Sequence, residues 1–575
     1  MGTLGGQGRV AVDRHGMVHP MGASWSLEWW VGAEDRWRVP SRETTVRQRL
    51  VDDAPVVETL MGVPGGDAVS RVYALAGSGG GDTFVFEVEA AGSMGFALAW
   101  VLRPVSVHGP GRVGRIDVDG AMVRVEGREV LWLPGRPGRM ALSSGMEADA
   151  GAMVAAGEAG EAATGSVVCP EGRASAALVV AVAHRSMVTA RLVIGHVEAP
   201  ATFRLPRRRR ESPPAPAPVT GPGAAAVGRA WRAHSERSLR LDLPPGRLAS
   251  AVAAQRRYLP LLAATVGGPD PSAARVVVAT AQAGFDAEAI AVARRWFVEG
   301  GAVDDLQAAC GLWTLGWLRC LGLDKVPPGW LPGVARRAEQ LGRAGRADPV
   351  GVGWRQAGLR AAADVLAAAG EAVAARRVTG WAGKVVEALP SGSPGAEPDG
   401  DLALSVALTG AELAGGRPGA GGSLLDRVLD GAGPTWVWPD DAQGVEPGAE
   451  PASGHGPRAA AEIWTLARTI LADDRSGRCG PGSVTLGLCS WWPPAWAHSP
   501  LEVHGLRTRA GVLSFAVRWH GTRPAVLWEI SDALAPVVVR ARGFDPSWSS
   551  EHLRGEVIFE AGPPAAHDPD DMGLL

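Results

Sequence analysis

The residues with the clearest chemistry lie close together in the last third of the chain. Trp436 and Trp438 are followed by two adjacent carboxylates, Asp440 and Asp441, and then by His455. Aromatic rings offer apolar faces that stack on flat partners, and carboxylates accept hydrogen bonds or transfer protons. Aromatic platforms beside carboxylates are what a sugar site needs. This stretch is therefore a candidate substrate-binding site, with Asp440 as the candidate base.

Each of these residues also has an ordinary structural explanation. Asp440 directly follows Pro439, and Asp is favoured in turns because its side chain bonds to nearby backbone groups. The rings of Trp436 and Trp438 can equally be packed in a hydrophobic core. His455 can order the loop against the start of the helix that follows. The sequence leaves these alternatives open.

A second candidate region comprises Asp348 and, six positions later, Trp354. Glycoside hydrolysis uses one carboxylic acid and one carboxylate, which inverting enzymes hold about 6.5–9.5 Å apart. Asp348 is the candidate acid in such a pair, and burial would have to raise its pKa for this role. Trp354 is a further candidate for stacking on a sugar, or else a core residue. Pro349 follows Asp348, so an ordinary turn explains this aspartate as well.

Other chemistries find no support in the sequence. The glycine run at 79–81 lacks the Lys-Ser/Thr of a phosphate loop, no Cys/His set has zinc spacing, and no nucleophile elbow occurs. We therefore predict no metal and no cofactor. The net charge of −3 argues against a nucleic-acid or membrane-surface partner. The one basic cluster, 207–210, borders a Pro/Ala segment and is explained as a solvated linker.

The spacing of apolar residues separates the chain into predicted strands and predicted helices, which must position these site residues. In the segment 83–89, Phe84, Phe86 and Val88 alternate with polar residues, a period of two that predicts a half-buried strand. Farther along, the period becomes 3.6 and predicts helices. The clearest apolar stripe consists of Leu306, Cys310, Trp313, Trp317 and Leu321.

The predicted fold class is a multidomain α+β protein. Many short strands with Gly and Pro between them predict an antiparallel β-sandwich, and Pro-rich segments predict domain boundaries. The predicted regions are an N-terminal β-sandwich (1–205), an Arg/Pro/Ala-rich linker (206–245), an all-α domain (246–475), a small C-terminal β domain (476–565) and an acidic tail (566–575).

The cysteines and the hydropathy favour a cytoplasmic protein. The five cysteines are odd in number, so reduced and buried thiols are the simplest interpretation. The sequence shows neither a signal peptide nor an apolar run of about 18 residues. We expect a protein of the cytoplasm without a membrane partner. The oligomeric state stays open.

The order of sandwich, linker, helices and small β domain resembles the six-hairpin glycosidases, in particular glucoamylase-like family 15 glycoside hydrolases of the actinobacterial type. Several segments carry this resemblance. They are Phe96-Ala-Leu-Ala-Trp-Val-Leu-Arg-Pro104, Tyr258-Leu-Pro-Leu-Leu262, Ala357-Gly-Leu-Arg-Ala-Ala-Ala-Asp364, Trp438-Pro-Asp440 with Ala459-Ala-Ala-Glu-Ile-Trp464, and Pro500-Leu-Glu-Val-His-Gly-Leu506 with Leu513-Ser-Phe-Ala-Val-Arg-Trp519.

The resemblance implies an (α/α)6-barrel-like helical domain, here short, whose cleft binds an oligosaccharide or α-glucan. It also implies an acid and a base for hydrolysis, and here the sequence departs from the family. Pro271 and Ser272 stand where an Arg-Asp pair is expected. The segment 349–354 lacks the acids of the first catalytic loop, and Asp440 stands where the family has Glu.

These departures lead to three hypotheses. The first is a glycoside hydrolase-like protein of carbohydrate metabolism that binds its sugar but is catalytically impaired, a pseudoenzyme. The second is an active hydrolase with a rearranged pair, Asp440 as base and Asp348 as acid. The third is a non-catalytic scaffold for a protein partner.

Overall fold

The computed structural model describes residues 1–6, 8–34, 36–76, 82–91, 93–161, 164–193, 221–323, 327–344, 349–387, 425–426, 428–438, 456–474, 483–533 and 535–560. The chain forms two compact units. Unit 1 consists of Met1–Arg232 together with Gly433–His455, and unit 2 consists of Ala233–Ala432 together with Gly456–Leu575.

Unit 1 is built mainly from antiparallel strands. They are β1 (Val10–Val12), β2 (Val18–Pro20), β3 (Ser26–Ala33), β4 (Arg36–Arg38), β5 (Arg47–Leu50), β6 (Val56–Val63), β7 (Gly66–Ala76), β8 (Asp82–Ala90), β9 (Phe96–Arg103), β10 (Val105–Ser106), β11 (Gly109–Pro110), β12 (Arg115–Asp119), β13 (Met122–Val125), β14 (Arg128–Trp132), β15 (Arg139–Ser143), β16 (Thr164–Val168), β17 (Ser175–Val182) and β18 (Met187–Val193). A seven-stranded sheet has the order β1-β2-β3-β9-β17-β15, with β4 beside β3, and a nine-stranded sheet has the order β16-β12-β13-β14-β18-β8-β7-β6-β5. Strands β10 and β11 form a separate hairpin.

The two large sheets pack face to face around one apolar core. Phe84, Phe86 and Val88 of β8 are fully buried, as their alternation predicts. The ring of Phe86 meets the edge of Trp100 from β9, with ring centroids 6.4 Å apart. Buried residues of both sheets form a single hydrophobic cluster. The coarse prediction of N-terminal antiparallel sheets before a helical region is therefore confirmed.

Two helices also belong to this part of the chain. They are α1 (Ala150–Ala155) and α2 (Ala224–Ser235). Helix α2 lies inside the segment 206–245, which the sequence predicted as a linker. Alanine is the strongest helix former, and the run of alanines after Pro222 therefore supports a helix that the prolines before it obscured.

Unit 2 contains the other helices that the structure describes. They are α3 (Arg247–Ala263), α4 (Pro271–Gln282), α5 (Asp286–Arg294), α6 (Asp305–Cys320), α7 (Leu331–Arg343), α8 (Pro349–Ala368), α9 (Ala372–Glu387) and α10 (Pro457–Leu471). A π-helical turn, Arg295–Glu299, follows α5 directly. Short 3₁₀ turns occur at Pro40–Arg42, Val51–Asp53, Pro328–Trp330 and Pro494–Trp496.

The strands of unit 2 form two sheets. They are β19 (Arg240–Asp242), β20 (Ala472–Asp473), β21 (Val484–Leu488), β22 (Leu501–Thr508), β23 (Gly511–His520), β24 (Arg523–Ser531), β25 (Val537–Ala541), β26 (Asp545–Ser550) and β27 (Arg554–Ile558). Their orders are β19-β22-β23-β24-β27 and β20-β21-β25-β26. The C-terminal strands therefore lie in the same compact unit as the helices, and the acidic tail predicted for 566–575 lies outside the described residues.

Helix α10 begins at Pro457, as the sequence predicts, with Gly456 as its N-cap residue. Proline suits this first position because the helix leaves its N–H without an acceptor in any case. Near the other end, Arg468 and Asp474 form an ion pair of 2.6 Å, and both side chains are almost completely buried. Arg468 also donates to the carbonyl of Arg507, and Asp474 accepts from the backbone N–H of Arg509. The pair therefore ties α10 to the end of β22 and to the turn that follows it.

The described cysteines differ in state. Cys169, Cys310 and Cys489 are buried free thiols, and burial raises the pKa of the Cys310 and Cys489 thiols. Cys320 is disulfide-bonded. This corrects, for Cys320, the prediction that all cysteines are reduced: the spacing of the cysteines in the sequence does not report which of them meet in space.

A search of the described helices for one both long and apolar enough to cross a membrane finds none.

Removing one partner of the buried pair should destabilise unit 2 strongly, since the other charge is left buried and unpaired. We expect Asp474→Ala to lower the free energy of unfolding by about 3–5 kcal/mol. The control is Glu462→Ala on α10, the helix that carries Arg468, because the ion pair of Glu462 with Arg458 is largely exposed and should contribute about 0.5 kcal/mol or less. Urea denaturation followed by helical circular dichroism measures both values. Equal effects of the two variants would contradict the assigned role of Asp474.

A buried carboxyl group of unit 1 should make stability depend on pH. Burial raises the pKa of Glu28, although Arg103 lies 3.1 Å away. The folded state therefore keeps this proton to a higher pH than the unfolded state, whose glutamate pKa is about 4.3. The stability contribution is complete below that value and is lost as the pH rises through the raised pKa. We expect Tm to fall less between pH 4 and 7 in Glu28→Gln than in the wild type, with exposed Glu556→Gln as the control.

Candidate functional site

Trp436 and Trp438 lie in a tight turn that follows a short helical segment. The N–H of Gly433 donates to the carbonyl of Val437 at 2.8 Å, and the N–H of Trp436 donates to the carbonyl of Gly433 at 3.0 Å. The ring centroids of Trp436 and Trp438 are 6.5 Å apart, with the planes tilted by 35°. Both side chains are only partly buried, whereas Thr435 beside them is buried. The turn therefore presents two neighbouring aromatic rings.

Trp436 adopts a left-handed backbone conformation, with φ of 56°. A bulky residue with a side-chain Cβ rarely occupies this region, because Cβ clashes with the backbone there. Such conformations cost about 1–3 kcal/mol and concentrate at functional sites. The surrounding turn therefore holds Trp436 in a position that local preference alone would not select.

The structure places only some of the predicted site residues. Asp440, Asp441 and His455 lie outside the described residues, and so does Asp348. The range Gly433–His455 groups with unit 1, whereas α10 belongs to unit 2. Asp440 as base, Asp348 as acid, and Asp441 and His455 as substrate-binding residues therefore stay predictions.

Trp354 is described, and it lies in the packed interior of unit 2. Its side chain is 2% exposed. Its ring meets the edge of Trp313 with centroids 5.2 Å apart, and the Arg275 guanidinium lies 5.6 Å from the ring centroid. Helices α4, α6 and α8 each contribute one of these residues. Trp354 therefore stabilises the contact between these helices.

Trp313 belongs to an aromatic cluster that continues to Trp317, one turn farther along α6. The two ring centroids are 6.0 Å apart, and both side chains are partly exposed. The guanidinium of Arg509 lies 5.0 Å from the Trp317 ring centroid, which is a cation–π contact. The sequence had shown both tryptophans as members of one helical stripe. Trp313 and Trp317 were not among the site residues predicted from the sequence. Their spacing of four positions, which places both rings on one helix face, could have predicted that they are neighbours.

Several carboxylates of unit 2 have structural partners. Asp270 is the N-cap of α4, and its side chain accepts from the N–H groups of Ser272 and Ala273 at 2.8 and 2.9 Å. With Pro271 at the first helical position, the segment Asp-Pro-Ser is a helix start. Asp270 therefore has a structural role in capping α4.

Asp286, the first residue of α5, forms a different arrangement. Its Oδ2 accepts from Arg507 at 2.7 Å, and the same arginine donates to the carbonyl of Leu321. Its Oδ1 is buried and has no hydrogen-bond partner among the described residues. The pair fastens the β22 strand to the ends of α5 and α6. Among the described residues, no group of three or more His, Cys, Asp or Glu could hold a metal ion.

No protein-family model matches the chain, and no curated protein matches it. Several solved structures align with it. A bacterial glucoamylase in complex with acarbose aligns at 10% identity and a TM-score of 0.42, over 65% of this chain and 64% of the glucoamylase chain, so the match spans less than two thirds of that protein. A protein from the human microbiome assigned as a kojibiose phosphorylase aligns at 6% identity and a TM-score of 0.45, over 92% of this chain and 88% of the other.

An α-L-rhamnosidase from Dictyoglomus thermophilum aligns at 9% identity and a TM-score of 0.36, over 81% of this chain and 57% of the rhamnosidase. All of these scores are low. They do not by themselves assign an activity to this chain.

Trp354 is buried and Trp317 is partly exposed, so replacing them should lower the stability of unit 2 to different extents. We expect Trp354→Ala to lower the free energy of unfolding of unit 2 by about 3–5 kcal/mol, because it leaves a cavity among α4, α6 and α8. Trp317→Ala should cost less, since its ring is partly exposed. Chemical denaturation measures both, and Trp354→Phe is the conservative control. If Trp354→Ala were as stable as Trp317→Ala, the packing role of Trp354 would be refuted.

Proposed function

We propose that the protein is a glycoside hydrolase-like protein that binds an oligosaccharide or α-glucan at a site containing Trp436 and Trp438. The observation that carries the proposal is the geometry of this turn. Two partly exposed rings lie side by side, and one of them is held in a left-handed conformation. Rigid aromatic side chains give contact area at low entropic cost, which is what a ligand platform requires. The carboxylates Asp440 and Asp441 follow directly in sequence.

The sequence resemblance to family 15 glycoside hydrolases supports a sugar as the ligand. The order of elements agrees with that family in outline, with antiparallel sheets first, then helices, then further strands. Trp438-Pro439-Asp440 is the segment that corresponds to one catalytic loop, so Asp440 is the proposed base or sugar ligand.

We further propose that hydrolysis is impaired. Where the family carries an Arg-Asp pair, this chain has Pro271 and Ser272, and Asp270 before them caps α4. Where the first catalytic loop is expected, the segment 349–354 keeps the aromatic Trp354 but lacks the carboxylates, and the Trp354 side chain packs in the interior. Asp348 is the remaining candidate acid. An active hydrolase that uses Asp348 and Asp440 is the alternative, and a scaffold for a protein partner is the third possibility.

Calorimetric titration with maltooligosaccharides of increasing length tests binding. We expect saturable binding, and we expect Trp436→Ala and Trp438→Ala each to weaken it at least about tenfold, since a buried tryptophan anchor contributes more than about 1.4 kcal/mol. Trp37→Ala is the control, because it removes another partly buried tryptophan of unit 1. Absence of binding to every member of a broad glycan panel would refute the carbohydrate role and favour a protein partner.

Release of reducing sugar from the same oligosaccharides tests catalysis. We expect binding without measurable turnover, and unchanged binding stoichiometry in Asp348→Asn. Turnover that is lost in both Asp348→Asn and Asp440→Asn would overturn the impaired assignment and favour the active enzyme. If Asp440→Asn changed neither binding nor turnover, the proposed role of Asp440 would be wrong.

A further inference from the structure

Unit 1 contains a cavity of about 740 Å³ that is distinct from the tryptophan turn. Its floor is the face of the nine-stranded sheet opposite the sandwich core, and one wall is the start of helix α2. Ligand-binding cavities in proteins typically have volumes of about 300–1,000 Å³. The cavity therefore has the size of a small-molecule site.

The floor is a row of alternating charges across neighbouring strands. Arg49 of β5 lies opposite Glu58 of β6, Glu58 opposite Arg71 of β7, and Arg71 opposite Glu87 of β8. Glu58 pairs with Arg49 at 2.6 Å and with Arg71 at 2.7 Å, and Arg71 also pairs with Glu89 at 2.7 Å. The positive and negative groups thus offset each other, and the floor offers hydrogen-bond donors and acceptors side by side.

Glu87 is the member of this row with unused hydrogen-bonding capacity. Its side chain lines the cavity and the residue is only 6% exposed. One carboxyl oxygen accepts from the hydroxyl of Tyr73, and the other has no hydrogen-bond partner among the described residues. Burial raises the pKa of Glu87. Because Glu87 lines the cavity, this second oxygen can accept a hydrogen bond from a bound ligand or an ordered water.

The mouth of the cavity carries two arginines and one carboxylate, Asp52, which is paired with Arg232 of α2 at 3.0 Å. Arg185 and Arg229 line it with exposed guanidinium groups, and neither forms an ion pair or hydrogen bond with a described residue. The backbone N–H groups of Ala224 and Ala225, at the start of α2, also lack a described acceptor, and the first turn contains no acidic residue. A helix N-terminus carries a partial positive charge and favours anions.

We propose that this cavity binds a small polyhydroxylated anion, a sugar that carries a carboxylate or phosphate group. Its anionic group lies at the mouth, between Arg185, Arg229 and the start of α2. Its hydroxyl groups point to the floor, where Glu87 and the neighbouring arginines provide acceptors and donors.

Two features of the lining select this ligand class over others. A simple inorganic anion would be held at the mouth alone and would leave the capacity of Glu87 unused. A polyanion such as a nucleic acid would meet the carboxylates of Glu58, Glu87 and Glu89, whose charges oppose its phosphates. A ligand with one anionic end and several hydroxyls satisfies both parts of the cavity.

Calorimetric titration of the full chain with four probes tests the proposal: glucose 6-phosphate, glucuronate, glucose and inorganic phosphate. We expect at least one of the first two to bind at least tenfold more tightly than both glucose and inorganic phosphate. If only glucose 6-phosphate or only glucuronate binds, the result shows whether the cavity recognises a phosphate or a carboxylate. Maltooligosaccharides, which are neutral, serve as a separate probe of the tryptophan turn. The proposed function and the proposed cavity site can therefore be refuted independently of one another.

Variants then locate the binding. We expect Arg185→Ala and Arg229→Ala each to weaken the binding of the sugar anion about tenfold or more, because a charge-assisted contact is lost. Glu87→Leu should weaken it about fivefold or more without changing the response to inorganic phosphate. Arg47→Ala, which removes a neighbouring exposed charge that does not line the cavity, is the control. Circular dichroism and Tm establish that each variant is folded.

Three outcomes would overturn the proposal. They are failure of both sugar anions to bind at millimolar concentration, inorganic phosphate binding as tightly as either of them, and sugar-anion binding that is unchanged in the Arg185→Ala/Arg229→Ala double variant. Binding that is lost in the Trp436→Ala variant and kept in these arginine variants would likewise assign the ligand to the turn.

Discussion

The structure of unit 1 depends on the burial of one face of each large sheet against the other. Apolar side chains such as Phe86 and Trp100 meet in this interface and supply most of the driving force, since burial of apolar area dominates folding free energies. The opposite face of the nine-stranded sheet is thereby left to polar residues. The start of helix α2 lines a cavity on that face, where basic and acidic side chains of neighbouring strands pair with one another. This ladder runs from Arg49 to Glu87, whose side chain lines the cavity.

Tryptophan serves three different purposes in this chain, and its abundance alone does not distinguish them. Trp354 is enclosed by α4, α6 and α8 and acts as packing. Trp313 and Trp317 form a partly exposed cluster that Arg509 covers on one side. Trp436 and Trp438 lie in a turn where the backbone itself is constrained. The proposed sugar platform lies in this turn, where two partly exposed rings are neighbours.

Carboxylates show a similar division between structure and chemistry. Asp270 caps a helix, Asp474 forms a buried pair with Arg468, and Asp286 fastens a strand to two helix ends through Arg507. Each of these carboxylates is bound to a partner within the fold. These three carboxylates therefore hold the described part of unit 2 together.

The sequence by itself determined the order of strands, helices and strands, because the periods of 2 and 3.6 are properties of the local chain. It also determined the start of α10 at Pro457, since helix starts depend on local backbone chemistry. It did not determine which tryptophans are buried, that Cys320 is disulfide-bonded, or that α2 and Glu87 line the same cavity. Those features depend on contacts between segments far apart in the chain. Glu87 occupies the polar face of its strand by pattern, and only the tertiary structure places it and the start of α2 in the lining of one cavity.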